Sequence, residues 1–381
     1  MTTINSKLPA VGTTIFSVMS KLATDHQAIN LSQGFPNYGT DEKLISAIYQ
    51  AMTDGFNQYA PMPGLLSLRE LIAEKIEHFY NAKYNPETEI TITAGGTQAI
   101  FTAISTFITD GDEVIIFEPA YDCYAPTIKL LGGVAKPFEL QAPDYKINWE
   151  MVKKLFTANT KMIIINSPHN PTGSILQKED IDALIQLTKN TDILILSDEV
   201  YEHIIFDGQQ HQSVALYPEL AERSFIVASF GKLLHTTGWK IGYCLAPAKL
   251  TSEFRKVHQF NVFSVSTPMQ VGIANYLKTT NIYPEIPVFF QQKRDYFQHL
   301  LRETNFELLP CKGSYFQCVS YKNISNEKDN DFAHKLVTEF GVASIPVSAF
   351  YTRNLDYKVL RFCFAKENNT LEKAVEKLKK L

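Results

Sequence analysis

The sequence predicts an α/β protein in which a large domain carries a mostly parallel sheet between helices, with a smaller α+β domain attached. Three observations predict it. Short β-branched runs alternate with helical patterns through the middle of the 381 residues. Several of those runs are apolar on both alternating faces, as in strands covered by helices on two sides. Past residue 283 the regular alternation gives way to strands and helices in mixed order.

Taken in chain order, residues 1–43 hold one amphipathic stretch, Ile15–Leu22, and then the loop SQGFPNYG. They read as an N-terminal arm that forms part of the small domain. Residues 44–282 read as the large domain. Its strands are Glu89–Thr93, Glu113–Phe117, Lys161–Asn166, Ile193–Asp198, Ser224–Ser229 and Ile241–Leu245, with helices such as Thr97–Ile108 and Lys178–Lys189 between the earlier ones. Residues 283–381 read as the C-terminal small domain. A long helical pattern from Tyr283 to Thr304 is followed by strand-like Tyr315–Tyr321, a helix near Asp331–Phe340 and strand-like Lys358–Phe364. The final helix shows an apolar face of Leu371, Ala374, Val375, Leu378 and Leu381.

Composition narrows the function classes. Hydrophobic residues make up 45% and charged residues 20%, enough to build a core without disulfides or a structural metal. With 36 basic against 40 acidic residues the formal charge is −4, which gives no electrostatic case for nucleic acid or a membrane surface as partner. Five scattered cysteines without a C-x-x-C arrangement fit reduced thiols and no metal site. The N-terminus lacks a basic region followed by an apolar one, so the expectation is a cytoplasmic protein.

Five motifs carry chemistry, each with a plainer alternative. In SDEVYEH, Asp198 ends an apolar strand where open α/β sheets bind ligands, and Tyr201 follows one turn later; the plain alternative is a helix N-cap. In SFGKLLHTTGWKIGY, Lys232 lies just past a buried strand between glycines. It is either a partly desolvated amine able to form a Schiff base or a solvated loop lysine. In INSPHNPTG, Asn170 sits between prolines, at a functional loop or a simple turn. TAGGTQAI puts two glycines before a helix, a phosphate cradle or an ordinary helix start. In VLRFCFA, Arg361 is expected as a half-buried guanidinium that pairs with a carboxylate, either a ligand's or a protein acid's. Together these supply the parts of a pyridoxal phosphate site.

On NPTG, SDEVY and SFGK…GWKIG, in this order, the chain resembles the class I/II aminotransferases, pyridoxal-phosphate-dependent transferases of fold type I, from about Leu8 to the C-terminus. INLSQGFPN, NQYAPMPG, EPAYDCYAP and LRFCFAK are similar to its kynurenine/glutamine transaminase branch. GTTIFSVMSKLA, with INLSQGFPN, resembles the bacterial methionine aminotransferases of that branch.

The resemblance implies pyridoxal 5'-phosphate as cofactor, a homodimer with shared active sites, and amino acid and 2-oxo acid substrates. It implies that Lys232 holds the cofactor and later carries the substrate proton. Asp198 would pair with the ring nitrogen, Tyr201 and Asn170 with the ring oxygen, and Tyr121 would stack on the ring. The phosphate would meet Gly96, Thr97, Gln98, Ser229 and Lys240, with Tyr59 reaching it from the neighbouring subunit. Lysine at position 240, where many members carry arginine, keeps the charge and loses the fork. Arg361, with Asn170 and the backbone of Gly34, would bind the substrate α-carboxylate. Phe16, and Phe263 from the other subunit, would line the side-chain pocket. The Asn170–Pro171 and Glu118–Pro119 bonds are expected to be cis.

HQFNVFSVSTP has no arginine for a distal carboxylate, so the expected donors are methionine and aromatic or related apolar amino acids, with ping-pong kinetics. The alternative is a kynurenine–oxoglutarate/glutamine transaminase with cysteine-S-conjugate β-lyase activity. A non-enzymatic effector domain of a transcriptional regulator would need a helix-turn-helix extension ahead of the arm.

Overall fold

A computed structural model describes residues 5–381. The chain enters through helix Ile15–Asp25, whose N-cap Thr14 accepts from the Ser17 amide. A two-residue strand, β1 (Ile29–Asn30), then pairs in parallel with β11 (Val342–Ala343), tying the arm to the C-terminal region.

Seven strands form the central sheet: β2 (Ile90–Thr93), β3 (Glu113–Glu118), β4 (Val134–Glu139), β5 (Thr160–Asn166), β6 (Leu194–Asp198), β7 (Ser224–Ser229) and β8 (Gly242–Leu245). Their order is β2-β8-β7-β6-β5-β3-β4. Strand β8 runs opposite to the other six strands of this sheet. Strand bounds fall within a residue or two of the sequence expectation, the usual scatter at element ends. The strand the sequence reading passes over is β4, VAKPFE. It contains Lys136 and Pro137, is mostly half-buried and lies at the sheet edge, where a missing N–H is tolerated.

Two-sided apolarity has a direct structural cause. In β5, Ile163 and Ile165 enter one core cluster while Met162 and Ile164 enter the other across the sheet. In β3, Ile115 and Phe117 oppose Val114 and Ile116 in the same way. Each such side chain contributes on the order of 1.5–3 kcal/mol by leaving water.

The C-terminal part begins with helix Glu285–Leu301 and builds a four-stranded antiparallel sheet. It comprises β9 (Glu307–Leu308), β10 (Phe316–Ser320), β12 (Ile345–Pro346) and β13 (Val359–Cys363), in the order β12-β13-β10-β9. The last helix, Asn368–Leu378, buries Leu371, Ala374, Val375 and Leu378; Leu381 of the expected face lies beyond its end. Glu118–Pro119 and Asn170–Pro171 are cis, as expected, and so are Ala142–Pro143 and Ser167–Pro168. Among the described residues no helix is long and apolar enough to cross a membrane.

Candidate active site

A cleft of about 250 Å³ opens beyond the carboxyl ends of the parallel strands, under the arm loop Gln33–Phe35. The sheet delivers its chemistry by strand ends. Asp198 is the last residue of β6, Ser229 the last of β7, and Lys232 sits in the short helix Phe230–Leu233 that follows. Helix Gly96–Phe107 starts just past β2.

Of the residues singled out from sequence, Gly34, Gly96, Thr97, Tyr121 and Asn170 line this cleft, as do Asp198, Tyr201, Ser229, Lys232 and Lys240. Gln98 belongs to the same first helical turn, but its side chain turns away to Thr102 and the Ala94 amide. Arg361 and Phe16 lie beneath the cleft: Arg361 Nη1 donates to Asn170 Oδ1 at 2.8 Å, and its guanidinium carbon is 5.2 Å from the Phe16 ring centre. Tyr59 and Phe263 contact each other at 5.3 Å but do not line the cleft of their own chain; they are 82% and 50% exposed.

The helix start is built for an anion. Gly95, at φ +80°, caps Gly96–Phe107 without a side-chain hydrogen bond, and the amides of the first turn face outward. A Cβ on Gly95 would sit 3.4 Å from Lys240 Nζ, and one on Gly96 would come within 2.9 Å of Val200 Cγ1. Gly95 therefore keeps the space beside Lys240 free of a side chain, while Gly96 lets the helix start pack closely on Val200.

Asp198 is buried, accepts from Tyr124 Oη at 2.5 Å and from the Val200 amide at 3.3 Å, and makes no salt bridge among the described residues, Lys232 attracting it only from a distance. Burial pushes its carboxyl up to about 6, against the pull of the Tyr124 hydroxyl. Lys232 is moved the other way: burial lowers its amine to about 8. Its Nζ donates to Tyr315 Oη at 2.9 Å and makes a longer contact to Gly34 O at 3.4 Å.

Arg361 is fully buried, 0% exposed, where the sequence suggests half-burial. Strand β13 lies between β10, which pairs with it from Val359 to Cys363, and β12, which pairs with Leu360 and Arg361. Its Nη2 donates to Ser32 O at 2.8 Å, the Phe316 ring lies 3.9 Å from its guanidinium carbon, and Nε has no partner. No protein carboxylate pairs with it among the described residues, so the alternative of an internal salt bridge fails.

These features fit pyridoxal phosphate. A buried carboxylate without a counter-ion suits a protonated ring nitrogen, a desolvated amine suits an aldehyde, and the open helix end with Lys240 suits a phosphate. Sequence reasoning missed Tyr124, which bonds Asp198, and Tyr315, which bonds Lys232. It also missed Asn166, whose Oδ1 holds the Asn170 amide. Tyr124 stands inside the quoted EPAYDCYAP; no spacing rule points from Tyr315 to Lys232.

Asp198 carries a pH signature. Its carboxyl binds a proton more tightly in the folded chain than at its ordinary 3.8, so folded stability falls as pH rises from about 3.8 to about 6. Asp198→Asn removes that cost. In the cofactor-free protein its stability relative to the parent should rise by ~1–3 kcal/mol between pH 4 and pH 7. Thermal melts across that range check it; a constant difference means the carboxylate is not disfavoured by burial.

The chain is similar to known proteins along nearly its whole length. Residues 26–378 match the family Aminotransferase class I and II. The chain is 46% identical to the methionine aminotransferase of Escherichia coli over 99% of its own length and 98% of the relative's. A solved structure of that E. coli protein superposes with a TM-score of 0.97, covering 100% of both chains. The N-succinyldiaminopimelate aminotransferase of Mycobacterium tuberculosis is 33% identical with a TM-score of 0.95, covering 99% of each chain. Human kynurenine–oxoglutarate transaminase 1 is 30% identical over 94% of both.

Proposed function

This chain belongs to the class I and II aminotransferases and uses pyridoxal phosphate, and from that premise we propose that it moves the amino group of methionine and of aromatic or related apolar amino acids to a 2-oxo acid by a ping-pong mechanism. The carrying observation is Arg361: a buried guanidinium with no acid partner, an unpartnered Nε and three aromatic rings around it.

Bound pyridoxal phosphate supplies an aldehyde carbon that accepts the amino group and a ring that accepts the electron pair left when the Cα proton departs. Arg361 and Asn170 hold the α-carboxylate common to donors and acceptors, so the two substrates use one site in turn. Asp198, oriented by Tyr124, keeps the ring nitrogen protonated. Lys232 Nζ would take the proton from Cα and deliver it to the carbon that carried the aldehyde, and would run the transfer in reverse with the 2-oxo acid. Phe16 and Phe350, 5.7 Å apart beside Arg361, favour an apolar side chain on the substrate.

A homodimer belongs to the same proposal. Tyr59, Phe260 and Phe263 are 82%, 88% and 50% exposed, an arrangement that suits large apolar rings completing a neighbouring copy's site. The similarity to the E. coli methionine aminotransferase supports methionine as donor.

Donor ranking tests the reading. With one common 2-oxo acid, kcat/KM for methionine and phenylalanine should exceed that for aspartate by at least ~10-fold, because a second carboxylate in an apolar pocket goes unpaired. Aspartate equal to or better than methionine contradicts it. A preference for kynurenine, with pyruvate released from a cysteine S-conjugate, would move the chain to the kynurenine-type alternative.

A further inference from the structure

Tyr315 reaches the cleft from the turn before β10, 83 residues along the chain from Lys232. Its ring is fully buried, edge-on to Tyr201 at 5.1 Å and packed against Phe290 and Phe316, so the ring is fixed on several sides. The hydroxyl donates its proton to Gly34 O, which turns its oxygen lone pairs toward Lys232.

A neutral primary amine has two N–H bonds and one lone pair. Lys232 Nζ has two acceptors in reach, Tyr315 Oη at 2.9 Å and Gly34 O at 3.4 Å. With both N–H bonds engaged, the lone pair is confined to the one remaining tetrahedral direction. An amine on a four-carbon stem gains most from such a restraint, since a proton moves only across a short and aligned gap. We infer that Tyr315 is a positioning residue for transamination: its hydroxyl docks the Lys232 amine whenever that amine is not bonded to the cofactor and holds its lone pair for the substrate Cα proton. The inference rests on the role given to Lys232 above.

The same contact carries a pH consequence. Besides Tyr315 and the Tyr201 ring, the groups facing Nζ are Asp198, Cys363, Arg361 and Lys240. An acceptor oxygen favours the protonated amine, so removing it moves the amine's titration to lower pH.

Tyr315→Phe deletes the hydroxyl and keeps the ring. In the cofactor-free variant, acetylation of Lys232 by acetic anhydride, read by peptide mass against pH, should show a midpoint lower by about one pH unit. In the cofactor-loaded variant, the single-turnover rate with methionine should fall ~10- to 100-fold while KM changes less than ~3-fold. An unshifted midpoint, or a raised KM with the rate unchanged, overturns the inference. Should the variant fail to fold, a crystal structure of the unaltered cofactor-free protein decides: Nζ bonded to Tyr315 Oη supports it, and an amine turned elsewhere overturns it. Borohydride reduction of the holoenzyme, followed by peptide mapping, separates the two levels. Cofactor on another lysine defeats the role given to Lys232, whereas cofactor on Lys232 with an unshifted midpoint defeats only the part given to Tyr315.

Discussion

Replacing Lys232 with alanine is expected to lower transamination by ~10⁴-fold or more while the protein still takes up the cofactor without a covalent link. The size follows from two losses at one atom. In the proposed mechanism Nζ would be both the nucleophile toward the cofactor aldehyde and the carrier of the Cα proton, and the proton-transfer part alone is worth ~10²- to 10⁴-fold. The phosphate contacts proposed for Gly96, Thr97 and Lys240, with the Asp198 carboxylate, would remain to hold the cofactor. Misfolding is not expected to explain the loss. Burial lowers the amine from 10.5 to about 8, so below pH 8 the folded chain carries a disfavoured buried charge. The lysine therefore adds stability only as pH climbs from about 8 toward 10.5, and the variant should not be destabilised through lost charge at pH 7. Single-turnover assays with methionine, and melts at pH 7 and pH 10, check both parts. Transamination within ~100-fold of the parent would contradict the assignment.

Arg361→Lys should lower kcat/KM by ~10²- to 10³-fold for every amino donor. Arginine's planar fork lets Nη1 serve Asn170 and Nη2 serve Ser32 O at the same time, each at 2.8 Å, with guanidinium surface left for a substrate carboxylate. Lysine offers a point charge on a shorter reach and cannot meet all three. Each buried acceptor left unpaired costs ~1–3 kcal/mol, and ~1.4 kcal/mol is tenfold in rate. Methionine, phenylalanine and aspartate share the α-carboxylate, so their losses should be alike. A loss confined to one donor would mean that Arg361 reads side chains.

The sheet was legible because its interior strands face two cores at once. Runs such as MIII at 162–165 announce that directly, whereas edge strand β4, with Lys136 and Pro137, carries no such signal. Residue types at strand ends made Asp198, Lys232 and Asn170 readable as candidates. Partners across the fold were not readable. Ser32 lies 329 residues from Arg361, and Tyr315 is joined to Lys232 only where the chain carrying the antiparallel sheet packs on the central one. The depth of Arg361 was also hidden, since a strand's burial depends on what flanks it and not on its own alternation. Tyr59 and Phe263 show the converse: their exposed contact is visible in one chain, and the proposed homodimer would give it a purpose in a second copy.

Transamination from methionine shows in the absorbance spectrum of the purified holoprotein before and after adding L-methionine without a 2-oxo acid. Conversion of the visible band of the lysine-linked cofactor to the colourless amine form, reversed by a 2-oxo acid, is the predicted result. A band that persists with methionine and with phenylalanine alike would contradict it.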